Sequence, residues 1–253
     1  MISGWTKNRT TGGQMQRRGD LHTRVVNELG AAIVDGHLAE GEIIDLDKIE
    51  KELDVSRSVT REALRVLSSL GMIVARHKVG TRVLPRAEWN LLDTQVIAWR
   101  SEGKDSDLQL HDLLQLRSGI EPLAARLAAG RLDAAALETL RESCDEMEAA
   151  AQIMDRRAFL RADEAFHSTI LIGCGNELVA RFGQVVVAAL EARQHESRTA
   201  ITELTPPSLV LHRKLLLALE RAGGGKAGQA AAQAERIARE LVDLASVELG
   251  FEA

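Results

Sequence analysis

At 253 residues, 45% hydrophobic and 27% charged, the chain is long enough for two ordinary domains and has the balance of a folded globular protein, which excludes disordered and fibrous classes. Its apolar runs, such as Val185–Leu190 and Leu215–Leu219, fall far short of the roughly 20 residues that span a bilayer, and Cys144 and Cys174 are too few for a disulfide framework or a cysteine metal site, so a reducing cytoplasm is expected. The net charge of -5 is unevenly spread: Met1–Arg86 carries 14 Lys and Arg against 11 Asp and Glu, and the remainder 18 against 26, so a positive head that suits a polyanion precedes a negative body.

Residues 1–20 mix Lys, Arg, Thr, Gly and Gln without the apolar block of a signal peptide and are read as a flexible basic arm. Leu21, Val25, Val26, Leu29, Ile33 and Val34 recur at helical spacing up to Gly36 and predict the first helix. A second runs from about Asp45 to Leu53, with Asp45 or Asp47 able to cap it. A third follows at once, capped by Ser56 and carrying Val59, Ala63, Leu64, Leu67 and Leu70 on one side until Gly71 stops it. Two helices separated only by Asp54-Val55-Ser56 form a helix-turn-helix candidate. Met72–Arg76, the polar turn His77–Gly80 and Thr81–Leu84 then predict a small β-hairpin, with Gly80 taking the turn and Pro85 ending the domain. A hairpin in that position is a wing, so residues 21–86 are expected to be a winged helix-turn-helix.

Trp89, Leu91, Leu92, Val96, Ile97 and Trp99 predict a connecting helix within 87–107. From Leu108 onward every segment is helical in period and rich in Ala and Leu. Helices are expected at 108–129, 133–151, 155–173, 176–200, 207–222 and 227–249, which makes 108–253 an all-α bundle and the chain mainly α.

Arg57, Arg61 and Arg65 recur every fourth residue on the third helix, opposite its apolar stripe, and so form a row facing solvent. The planar guanidinium fork suits guanine edges and phosphates, Ser58 and Thr60 add hydroxyl donors, and the amides of Arg57 and Ser58 open the helix toward a phosphate. In the wing, Arg76, His77, Lys78, Thr81 and Arg82 would reach the backbone or an adjacent minor groove. Glu62 reads as an ion-pair partner of Arg65 or Arg57. A solvated basic face would explain the arginines alone; the turn spacing, the cap and the basic hairpin together favour duplex DNA. The stretch Val55–Leu67, followed by Gly71-Met72-Ile73 and the Gly80 wing, resembles the GntR family of bacterial regulators. The resemblance implies that Arg57 and Arg61 contact operator DNA, with His77 and Gly80 at the wing tip. Asp47–Lys51 lacks the arginine that some members carry in the second helix.

In the bundle, Asp163 and His167 stand four apart on one helical face, and His212 lies on a later, apolar helix. One Asp and two His from separate helices could close on a divalent cation; a hydrogen-bonded Asp-His pair and a satisfied core histidine would give the same pattern. Arg117 could clamp a carboxylate ligand or pair with Glu121 one turn on. Leu116–Ala125, Asp163-Glu164-Ala165-Phe166-His167, Gly175-Asn176 and His212 are similar to the FCD domain of the FadR-like GntR subfamily, so the resemblance runs from about Leu21 to the end. It implies a bundle of six or seven helices holding a divalent metal (Zn, Ni or Mn) through one Asp and three His, with the effector's carboxylate beside it. That assigns Asp163, His167 and His212 to the metal and these three with Arg117 to the effector. No histidine follows His212: Ala234, Glu235 or Arg236 stands near the expected last-helix position, and His195 is a stand-in whose surroundings read more easily as a polar helix face. The segment Glu88–Trp99 resembles the linker of regulators of galactonate and related sugar-acid catabolism, implying galactonate or a related aldonate as effector.

The expected protein is a homodimeric, non-enzymatic repressor that binds double-stranded operator DNA and no membrane. The rival reading is a metal-dependent helical hydrolase using Asp163, His167 and His212, for which no clear general base accompanies the ligands. A helical adaptor whose basic head binds protein or RNA is a third.

Overall fold

The computed structural model describes residues 18–192, 206–222, 227–248 and 250. Most of the basic arm, residues 193–200 of the expected fourth bundle helix and His195 lie outside them. The chain divides into two compact units, Met1–Asp105 and Ser106–Ala253.

The first unit holds α1 (Arg18–Val34), α2 (Leu46–Leu53), α3 (Arg57–Ser69), the antiparallel strands β1 (Ile73–Arg76) and β2 (Gly80–Val83), and α4 (Thr94–Glu102). Leu29 of α1, Leu67 of α3, and Met72 and Ile73 at the wing's root are fully enclosed and form its centre. Asp45 caps α2 by accepting from the Lys48 amide at 3.1 Å. Asp54 ends α2 in the left-handed region (φ 53), its N–H returning to the Glu50 carbonyl, and this reversal aims α3. Ser56 occupies the N-cap position of α3, but its hydroxyl meets the Ser58 hydroxyl at 3.0 Å instead of a backbone amide, which corrects the expected side-chain cap.

The hairpin pairs Ile73 with Val83 and Arg76 with Gly80. Its turn is shared: Lys78 takes φ 63 and Gly80 φ 106, so glycine alone does not make the reversal. Ile43 adds a bridge to Arg82, and the Ile44 amide donates to the Thr81 carbonyl at 2.8 Å, extending the sheet edge by a short rung. Gly71 (φ 71) joins α3 to the wing; a Cβ there would lie 2.3 Å from the Glu88 carbonyl oxygen, because 84–90 folds back over this corner and the Asn90 amide donates to the Leu70 carbonyl.

The expected connecting helix is two pieces, a 3-10 turn at Arg86–Glu88 and then α4, whose start is capped by Asp93. Trp99 of α4 seats on Gly30 of α1, where a Cβ would come within 2.5 Å of its ring, and the Trp99 indole N–H reaches Asn27 Oδ1 at 3.3 Å.

The second unit contains α5 (Ser106–Ala128), α6 (Ala134–Gln152), α7 (Arg156–Gly173), α8 (Glu177–Arg181), α9 (Gly183–Ala192), α10 (Pro206–Arg221) and α11 (Ala227–Glu248). Asp133 and Asp155 cap α6 and α7, each accepting from the amide three residues on. The single helix expected at 176–200 is broken at Phe182, between α8 and α9. Leu140, Met147, Phe166, Leu171, Leu190 and Leu215 fill the interior. Pro122 lies inside α5 and offers no N–H to the Ser118 carbonyl; that carbonyl accepts from Arg239 of α11 instead, at 3.4 Å.

Candidate functional site

The open side of α3 carries Arg57, Ser58, Arg61, Glu62 and Arg65, all exposed, while Val59, Ala63, Leu64 and Leu67 point inward. Glu62 pairs with Arg65 at 2.5 Å, which settles the choice left open by spacing. Two expected DNA contacts are corrected. Thr60 is fully buried, and its hydroxyl turns back to the Ser56 carbonyl at 3.4 Å. Thr81 is 8% exposed, because the alternation along β2 turns Thr81 and Val83 inward while Gly80 and Arg82 face out. His77, Lys78 and Gly80 remain exposed at the wing, with Arg76 and Arg82 beside them. Val79 and Ile43, exposed apolar side chains of the wing and its edge, escaped the sequence reading; the alternation does not foretell Ile43, which is placed by its bridge to Arg82.

A second constellation lies inside the helical unit. Asp163 and His167 of α7 meet His212 of α10: Asp163 Oδ1 is 2.9 Å from His212 Nε2 and 3.5 Å from His167 Nε2. All three residues are buried, and a ligand atom of each lies within 4.8 Å of the others. His212 Nδ1 is 2.9 Å from the Ser208 carbonyl, an acceptor only, so Nδ1 carries a proton and Nε2 is the ring nitrogen turned toward Asp163. Phe166 backs the His212 ring edge-on, with centroids 4.9 Å apart.

The cluster extends to α5. Glu121 accepts from Arg117 Nε at 2.5 Å through Oε1 and stands 2.7 Å from His167 Nδ1 through Oε2. The second contact is an ion pair by distance. Arg117 therefore makes the pair with Glu121, and it also lines the small pocket over Asp163, His167 and His212, along with Ser208 and Leu241. Burial opposes charge on Glu121, but Arg117 and His167 outweigh it and lower its pKa to about 2. Burial likewise disfavours the His167 cation, and Glu121 and Asp163 reverse that, raising it to about 9. Asp163, also opposed by burial, is held well below the ordinary carboxylate range by His167 and His212.

Among the described residues the last helix brings no fourth ligand to the cluster. Ala234 is buried in the apolar core, Glu235 pairs with Arg126 at 3.7 Å, and Arg236 pairs with Glu240 at 2.9 Å. Glu121 is the site residue that sequence reasoning saw only as a partner for Arg117; its second contact crosses between helices and leaves no trace in spacing.

A helix with an apolar inner side and an arginine-lined outer side, set beside an exposed basic hairpin, places the protein in the class of winged helix-turn-helix regulators. Residues 21–83 match the gntR family of bacterial regulatory proteins and residues 112–236 match the FCD domain. The galactonate operon transcriptional repressor of Escherichia coli is 30% identical over 210 residues, covering 82% of this chain and 90% of that protein. YieP, an uncharacterized HTH-type transcriptional regulator of the same organism, is 27% identical over 218 residues, covering 86% and 93%. The fold is shared with Lar, which controls expression of the Listeria monocytogenes agr system (18% identity, 91% of this chain and 96% of that one, TM-score 0.52), and with E. coli McbR/YncC (18%, 91% and 97%, TM-score 0.50). The chain belongs to the gntR family of bacterial regulatory proteins and carries an FCD domain. Among the described residues no helix is long and apolar enough to cross a membrane.

Proposed function

We propose that the protein is a homodimeric repressor of a sugar-acid catabolic operon, and that an aldonate bound in the helical unit releases it from its operator. Arg57 and Arg61 read the duplex, Arg65 and Ser58 border them, and His77, Lys78 and Gly80 approach from the wing. The observation that carries the reading is the two-sided α3, whose cationic face is open to solvent. The galactonate repressor among the relatives supports the substrate class.

The buried cluster suits a divalent cation, Zn, Ni or Mn. Both imidazole Nε2 atoms are buried without a hydrogen-bond partner, and both face the Asp163 carboxylate, as ligand atoms do. His167, His212 and Asp163 would hold the ion, which when bound supplies an electrophilic centre for carboxylate oxygens. Three protein ligands leave coordination to be completed by the effector, whose carboxylate would lie in the cavity that Arg117 lines. By linkage, an effector that prefers the DNA-incompetent arrangement lowers operator affinity by the same factor.

The test is a titration of the protein against a fluorescent duplex from upstream of its own gene, with and without galactonate. Tight, salt-sensitive binding that galactonate releases is expected. Binding unaffected by any sugar acid refutes the effector, and no preference over random duplex refutes the operator reading.

A further inference from the structure

A histidine binds a cation through the ring nitrogen without a proton, so the group facing its other nitrogen decides which atom is offered. For His212 that group is the Ser208 carbonyl, one turn back on its own helix. For His167 it is Glu121, from a different helix. A fork-to-fork pair with Arg117 would occupy both carboxylate oxygens. Here Arg117 Nε engages Oε1, and Oε2 is left facing the imidazole. Arg117, Glu121 and His167 are only 2%, 4% and 4% exposed, so water does not compete for these contacts.

We infer that Glu121, anchored by Arg117, is the positioning residue of this site: it holds His167 as the Nδ1–H tautomer, so that Nε2 meets a cation beside His212 Nε2 and Asp163 Oδ1. The inference rests on reading Asp163, His167 and His212 as a cation site. It also gives the buried Arg117–Glu121 pair a purpose other than stability, which buried ion pairs supply poorly.

The full chain, stripped with a chelator, is titrated with Zn2+ alone at one fixed pH, as parent and as Glu121→Gln. Glutamine keeps the shape but is neutral, and it can turn either its oxygen or its amide toward Nδ1. One site per chain is expected in both proteins, with Zn2+ bound about 10- to 100-fold more weakly by the variant, the range found for changes to groups that orient metal ligands. Imidazole 15N shifts should place the His167 proton on Nδ1 in the Zn2+-loaded parent and show both tautomers in the variant. Equal Zn2+ affinity in the two proteins, or a His167 proton on Nε2 in the loaded parent, overturns the positioning role and leaves the cation site standing. A parent that takes up no Zn2+ overturns the site and the role together. Should Glu121→Gln fail to fold, Glu121→Asp, which keeps the carboxylate but shortens its reach to Nδ1, replaces it in the Zn2+ titration, and affinity equal to the parent's overturns the role.

Discussion

Replacing Gly71 with alanine should damage the head more than almost any other one-carbon change. The residue sits at φ 71, a conformation that costs an L-residue about 1 to 2 kcal/mol. The added Cβ would also lie 2.3 Å from the Glu88 carbonyl oxygen, which is rigid backbone, so the 84–90 segment must back away. Overpacking of that kind costs about 1 to 3 kcal/mol. The retreat also stretches the 2.8 Å bond from the Asn90 amide to the Leu70 carbonyl. Together about 3 kcal/mol is expected, which at a urea slope of about 1 to 3 kcal/mol/M moves the midpoint down by about 1 to 3 M. Tryptophan fluorescence is the natural probe, because Trp89 and Trp99 both lie in the first unit and the second has no tryptophan. Gly41→Ala supplies the control: its φ is 79 and nothing lies within 4 Å of a Cβ there, so it carries conformational cost without collision. If the two variants lose equal stability, the collision at Glu88 contributes nothing and the account of this corner is wrong.

Arg61→Ala should weaken operator binding by about 1 to 3 kcal/mol if the side chain reads a base. Thr60→Val, beside it in sequence but turned inward, should leave affinity unchanged by fluorescence anisotropy; a loss as large as that of Arg61→Ala would restore Thr60 to the interface. Asp163→Asn, or dialysis of the parent against a chelator, should abolish release by galactonate while operator binding without effector persists; continued release would mean that the effector needs no cation. Burial first, opposed by nearby Arg213, pushes the Cys144 thiol up to about 12, so at pH 8 almost no thiolate exists. With Cys174 buried too, a disulfide reagent should label no cysteine in the native protein and two after denaturation, and rapid native labelling would contradict the packing around α6.

Much of this was legible in the sequence because burial follows period. The arginines at 57, 61 and 65 alternate with the inward residues 59, 63, 64 and 67 at helical spacing, and the structure keeps both sides as read. The same periods also place Thr60 and Thr81 correctly: Thr60 leads to Leu64 and Leu67, and Thr81 shares a face with Val83. Residue type misled where spacing did not, since a hydroxyl looks like a donor wherever it stands. The break at Phe182 had no proline to announce it. The approach of Glu121 to His167, and of His212 to Asp163, depends on how α5, α7 and α10 pack, which no local pattern encodes.

The grip of Glu62 on Arg65 bears on how the protein would search a genome. A cation already matched by its own carboxylate displaces few counterions from a phosphate, so in the proposed complex the pair would lower the general adhesion of the helix to DNA of any sequence. Arg57 and Arg61 form no such ion pair within α3, and in the proposed complex their affinity would be the share that a correct base can reward. If α3 meets DNA as proposed, trimming the indiscriminate component would shorten each stay on wrong DNA and widen the ratio between operator and background, so one acidic residue amid the arginines would trade holding power for speed of finding.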